Sequence, residues 1–232
     1  MILNLLQLAS PALPLGAYSY SEGLETLIDH EIITDENSLE SWLIQEIKYG
    51  SIRIEAAIML RAYRYFVVDE FMGLTDWNQW LSAVRESSEL RKQSWQMGNS
   101  LIKLLLELEG IQKPSSTQSD IFKLETCAAI IGKPCNYAIA FGLGAGYWQI
   151  EQKNALLGYL HSWATNLINA GVKLIPIGQT HGQKLLLRLH PEITKASEEI
   201  FILEDDDLVS CSWGLGLASM QHETQYTRLF RS

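Results

Sequence analysis

Residues 75–108 read TDWNQWLSAVRESSELRKQSWQMGNSLIKLLLEL. Within them Trp77, Trp80, Leu81, Val84, Ser88, Arg91, Trp95, Gly98, Ile102, Leu105 and Leu108 recur at spacings of three and four, apart from the adjacent pair Trp80 and Leu81. A helix of 3.6 residues per turn places such positions on one face, so the stretch reads as helical. The middle of the stripe is polar, at Ser88 and Arg91. An unpaired Arg in an apolar interior is costly. Arg91 is therefore expected to pair with a carboxylate or to lie at a protein–protein surface.

Outward from this stretch the period repeats. A helix is expected after Ser21, a good N-cap residue, to about His30. Leu39, Trp42, Leu43 and Ile47 mark another, starting after Asn37 or Ser38. Ile54, Ala57, Ile58, Arg61, Ala62 and Tyr65 mark a third. Ala138, Gly142 and Gly146 lie four apart. Glycine in a helix costs about 1 kcal/mol relative to alanine, so close approach of a second helix is expected to compensate. Leu156, Leu160, Trp163, Leu167 and Ala170 follow Glu151, with Gly171 where a C-cap would fall. A last helical stretch is expected over about 206–220. The acidic run Glu204, Asp205, Asp206 and Asp207 precedes it and complements the helix dipole. Pro11 and Pro14 exclude a regular helix from the first twenty residues. Residues 110–119 form the clearest loop, followed by a short helix broken at Gly132 and Pro134. No β alternation is present. The pattern predicts an all-α fold, a single irregular helical bundle over residues 1–232. Residues 1–20 and 221–232 are expected as flexible partner-binding ends.

The formal net charge of −9 argues against nucleic acid, which demands a basic face, and against an anionic membrane surface. A basic protein partner fits better. Hydrophobic residues make up 47% of the chain and charged residues 19%, with seven Trp. That balance fits either apolar surface turned to partners or a large core with ordinary aromatics. Cys127, Cys135 and Cys211 are too few for a disulfide framework and include no CxxC pair. The N-terminus lacks the basic region of a signal peptide. No apolar run reaches the roughly 18 residues of a membrane span. A reduced, cytoplasmic protein is expected.

Catalytic signatures fail one by one. Gly178-Gln-Thr-His-Gly182-Gln-Lys184 has one residue too few between its glycines for a phosphate loop, and Gln183 separates Gly182 from Lys184. Gly142-Leu-Gly144-Ala-Gly146 has Tyr147 where a dinucleotide loop needs its third glycine. His222-Glu223 has Tyr226 in place of the second histidine of HExxH, and Ser21 lacks the glycine of a nucleophile elbow. His30, His161, His181, His190 and His222 show no i, i+4 pair, and each reads most simply as a surface or capping residue. No cofactor and no catalytic residue are assigned. The rival reading is a metal-dependent hydrolase using scattered histidines and the acids of 204–207.

Three blocks rich in Gly, Pro, Gln and aromatics remain, at 8–25, 171–183 and 220–232. Rigid, uncharged loops suit protein recognition, and the Arg–aromatic mixture of the last block suits an interface. That block either docks on its own core or orders on a partner, and ordering on a partner is the expected case.

Leu8-Ala-Ser-Pro-Ala-Leu-Pro-Leu-Gly-Ala-Tyr-Ser-Tyr-Ser-Glu-Gly-Leu-Glu25 resembles the N-terminal signature of the UreF family of urease accessory proteins. Ala170-Gly-Val-Lys-Leu-Ile-Pro-Ile-Gly-Gln-Thr-His-Gly-Gln183 resembles its central motif, and His222-Glu-Thr-Gln-Tyr-Thr-Arg-Leu-Phe-Arg-Ser232 its C-terminal one. Arg91-xxx-Trp95-Gln-Met-Gly-Asn-Ser-Leu101 is similar to a weaker fourth. The resemblance implies an all-α homodimer, not an enzyme, that bridges UreD/UreH and the GTPase UreG on apo-urease subunits. It would act as a chaperone of nickel insertion and regulate GTP hydrolysis by UreG. It further implies that His222, Glu223, Tyr226, Arg228, Phe230 and Arg231 order on UreD/UreH. Pro14, Gly16, Tyr18, Ser19 and Glu22, with Lys173, Gln179 and Gln183, would form the platform for UreG. Lys173 is the residue expected to couple to the GTPase, against the plainer reading of a snorkelling lysine.

Overall fold

The computed structural model describes residues 2–108 and 118–232. They form α1 (Ile2–Leu8), a 3-10 turn (Ala17–Ser19), α2 (Leu24–Asp29), α3 (Glu36–Tyr49), α4 (Ser51–Val68), α5 (Met72–Val84) and α6 (Ser88–Glu107). After these come α7 (Gln118–Ile131), α8 (Tyr137–Tyr147), α9 (Gln152–Leu174), α10 (Gln179–Phe201), a second 3-10 turn (Asp205–Asp207) and α11 (Trp213–His222). No strand is present among the described residues, so the fold is all-α, as expected.

Helix α8 is the axis of the bundle. It carries no charge, and Ala138 to Tyr147 are all buried. A helix apolar on every side must be surrounded, and α4, α6, α7, α9 and α1 pack around it. The glycines set the α4–α8 spacing. A Cβ at Gly142 would lie 2.3 Å from the Met59 carbonyl oxygen, and one at Gly146 2.7 Å from the Phe66 ring. The close approach expected from their spacing is present.

The founding stretch divides. Helix α5 stops at Val84, Arg85 turns extended (φ −63°, ψ 128°), and Ser87 caps α6 by accepting the Leu90 N–H at 3.1 Å. Among the described residues Arg91 pairs with no carboxylate. Its Nε donates to the Ser82 carbonyl at 2.8 Å, satisfying an orphan acceptor at the end of α5.

Other boundaries move for physical reasons. Helix α1 fits ahead of Pro11, because proline blocks only the helix that would run through it. Helix α9 passes Gly171 and reaches Leu174. That glycine is a close-approach residue, where a Cβ would meet Leu39 Cδ2 at 2.6 Å, and not a C-cap. Helix α10 went unread in the sequence. It buries Leu185, Leu186, Leu189, Ile193, Ala196 and Ile200 despite Pro191 in its interior. The acids of 204–207 cap no helix, since α11 starts only at Trp213. Asp205 instead accepts from Arg61 Nε at 2.7 Å, neutralising a buried guanidinium. Of the loop expected at 110–119, residues 110–117 lie outside the described residues, while 118 and 119 already belong to α7.

Candidate partner-binding face

Residues 223–232 cross the molecule and lie against α2 and α6. Glu25, on α2, is the main anchor. Its carboxylate accepts the Leu229 N–H at 2.6 Å and the Phe230 N–H at 2.9 Å. A carboxylate taking two backbone donors makes charge-assisted bonds, the stronger kind. Glu25 also meets His222 Nε2 at 3.1 Å, and Glu89 meets His222 Nδ1 at 2.7 Å. His222 is fully buried at the end of α11, with a carboxylate at each ring nitrogen. Arg228 adds a guanidinium to Glu89 at 2.9 Å.

The N-terminal loop closes the other side. Gly16 adopts φ +81°, which starts the 3-10 turn. Ser19 Oγ donates to the Gly16 carbonyl at 2.7 Å, and the Ser19 carbonyl accepts the Arg231 N–H at 2.8 Å. The Ser232 carbonyl accepts from Ser21 Oγ at 2.7 Å and from the Glu22 N–H at 3.1 Å. Phe230, only 6% exposed, lies beneath Lys173, whose Nζ stands 5.4 Å from the ring centroid. Glu223 accepts the Ser88 N–H at 3.0 Å and the Ser88 hydroxyl at 2.7 Å, which caps α6 and holds its carboxyl below the usual range. The segment expected to order on a partner is thus already ordered on its own core.

Below this face lies an acidic centre. Glu22 is half-buried as a residue, with φ +55°. Its carboxylate accepts from Gln93 Nε2 at 2.8 Å and Trp163 Nε1 at 3.0 Å. Burial, then the charge of Glu55, push its pKa up to about 7 against those bonds and Arg85. Glu55 forms an ion pair with Arg85 and accepts from the Tyr159 hydroxyl at 3.1 Å. Burial alone would depress Arg85, but Glu55 outweighs it and raises the guanidinium. A cavity of about 60 Å³ separates these groups from Leu13, Leu15 and Tyr137. Nearby Glu46 is pushed up to about 8 by burial, then by Glu22 and Glu86. Both Glu46 and Glu86 keep a buried oxygen without a hydrogen bond.

Of the residues singled out in the sequence, Gly16, Ser19, Glu22, Lys173, His222, Glu223, Arg228, Phe230 and Arg231 come together here. Pro14 and Tyr18 stand exposed on the loop, and Tyr226 is fully exposed on the docked segment. Gln179 and Gln183 make no hydrogen bond to it. They are exposed on the first turns of α10, where His181 and Arg188 pair with Glu36. The sequence reading missed Ser21, Glu25, Glu55, Arg85, Glu89 and Gln93. One signal was available: no charge occurs before Glu22, so Glu22 and Glu25 are the first ionic groups of the chain. Of the residues of the hydrolase reading, Asp205 is engaged by Arg61 and His222 by two carboxylates. Among the described residues no three His, Cys, Asp or Glu side chains converge as metal ligands.

Fold and face together define an all-helical protein that seats its own C-terminal segment over a buried acidic centre. The UreF family model matches residues 33–190. Urease accessory protein UreF of Nostoc sp. is 59% identical over 230 residues, covering 99% of this chain and 95% of the relative. That of Synechocystis sp. is 55% identical, with 99% and 97% covered, and that of Polaromonas sp. is 37% identical, with 100% and 94% covered. The chain belongs to the UreF family.

Proposed function

We propose that this protein serves urease maturation as a binding protein and not as an enzyme, bridging UreD/UreH and the GTPase UreG on apo-urease. In this reading it is a chaperone of nickel insertion that regulates GTP hydrolysis by UreG, as a cytoplasmic homodimer. One observation carries it. Three motifs far apart in sequence, the N-terminal loop, Lys173 and residues 222–232, meet on one face. The docked segment still presents Tyr226 and Leu229 outward, at 103% and 64% exposure. It can therefore offer side chains to UreD/UreH without leaving its seat. Lys173 and the exposed Tyr18 supply the UreG side. No described helix is long and apolar enough to cross a membrane.

Deleting 222–232 is a poor test, because it strips buried His222 and Phe230 from the core. The better variant is Tyr226→Asp. It should fold normally and lose co-purification with UreD/UreH; undiminished capture would contradict the assignment. Lys173→Ala should keep the complex and impair urease activation, and normal activation would remove Lys173 from the mechanism.

A further inference from the structure

Helices α9 and α10, each 23 residues long, pack side by side. His161 of α9 and His190 of α10 meet across their seam, with ring centroids 5.9 Å apart and planes tilted by 45°. Aromatic neighbours prefer an offset stack or an edge-to-face contact, and this tilt is neither. The backbone beside each ring is already engaged. Thr165 Oγ1 donates to the His161 carbonyl at 2.8 Å, and Thr194 Oγ1 to the His190 carbonyl at 2.9 Å. Each helix thus carries the same His-x-x-x-Thr element. Among the described residues no hydrogen bond or ion pair reaches a ring nitrogen of either histidine. His161 is half-buried and His190 exposed, so the pair is open to small solutes.

Two imidazoles offer nitrogen lone pairs, which suit the borderline divalent transition metals. A ring nitrogen lies about 1.2 Å from its centroid, so rings at this separation can bring one nitrogen of each to about 3.5 Å, and two ligands at about 2.1 Å on a tetrahedral ion stand about 3.4 Å apart. The spacing therefore suits one shared ion. Burial, then the neighbouring His190, hold the His161 pKa below its ordinary value, which favours the neutral ring that ligates. Among the described residues no third His, Cys, Asp or Glu joins the pair, so an ion would complete its shell with water. Mg²⁺ and Ca²⁺, which take oxygen ligands, are poor occupants. We infer that His161 and His190 form a two-histidine site for one divalent ion of the cobalt-to-zinc series, which clips α9 to α10. The pair shares no residue with the docked face, so either can fail while the other stands.

The test titrates the full, metal-free chain with Co²⁺, Ni²⁺ and Cu²⁺ by calorimetry. The first ion should bind one to a chain, with affinity rising from Co²⁺ through Ni²⁺ to Cu²⁺, and Mg²⁺ should not compete. With Co²⁺ bound, the imidazole proton resonances of His161 and His190 should shift together. His161→Gln and His190→Gln should each weaken binding at least tenfold with helicity unchanged, since neither ring is part of the core. The ion should raise the melting temperature of the wild type and leave that of either variant where it was. Two controls change other exposed donors: His181→Gln and Cys211→Ser should bind as the wild type does. The absence of saturable binding overturns the proposal, as does affinity that survives both His161→Gln and His190→Gln. Binding lost in His181→Gln or Cys211→Ser instead would place the ion elsewhere and overturn it too.

Discussion

The α4–α8 seam and the docked segment 223–232 are both ordered, but they are held by different forces. In the seam, glycines bring backbone within van der Waals contact of backbone, and α8 has no charge along its length. Separating the helices would expose an entire apolar helix. The docked segment buries one aromatic, Phe230, and otherwise hangs on the carboxylates of Glu25 and Glu89 and on hydrogen bonds to Ser19, Ser21 and the Glu22 backbone N–H. Its hold depends on a few polar bonds. A seam of this kind sets the fold, whereas a segment held this way can answer to a partner.

The contrast can be broken most severely at His222. His222→Leu leaves Glu25 and Glu89 facing an apolar group, and each buried polar group left without its partner costs about 1–3 kcal/mol, so the two together cost about 2–6 kcal/mol. Chemical denaturation should show the loss; a change below about 1 kcal/mol would mean that the two carboxylates are not held by this ring. Next comes the seam. Gly142→Ala pushes a methyl into the Met59 carbonyl, and overpacking costs about 1–3 kcal/mol. Gly214→Ala, with open space around it, is the control and should not lower the melting temperature.

The pH response sharpens the comparison further. Glu46 holds its proton up to about pH 8 in the fold, against 4.5 for the free group. Between those values the folded chain binds a proton that the unfolded chain has released, so stability falls as pH rises. Glu46→Gln should reduce this slope without abolishing it, because Glu22 is raised in the same direction. The variant should gain on the order of 1–3 kcal/mol over wild type at pH 8.5 relative to pH 5. Parallel pH profiles for the two proteins would contradict the burial of an ionisable Glu46. Smallest is Tyr226→Ala, a fully exposed side chain, whose effect on stability should stay within about 0.5 kcal/mol.

These differences also explain what the sequence made legible. The seam was readable because its cause is local: small residues at a four-residue spacing need a close neighbour, and the neighbour is there. The split at residues 85–87 was hidden because Ser88 and Arg91 keep the helical period across the break. Helix α10 was hidden by Pro191 and by Gly178 at its start. At the docked face, the motifs identified Lys173 and 222–232, but not what they touch. Glu25 lies 204 residues from Leu229, and no spacing rule connects such a pair. The same gap let the sequence favour a partner over the chain's own core, since an Arg–aromatic composition suits either.

Amide hydrogen exchange of Leu229 and Phe230, in wild type and in Glu25→Gln, tests the central claim most directly. The account predicts protection in the free wild-type chain. In the variant that protection should fall by at least tenfold, while the amides of α8 exchange as slowly as before. Exchange of Leu229 and Phe230 at the rate of an unstructured peptide in the wild type would contradict it.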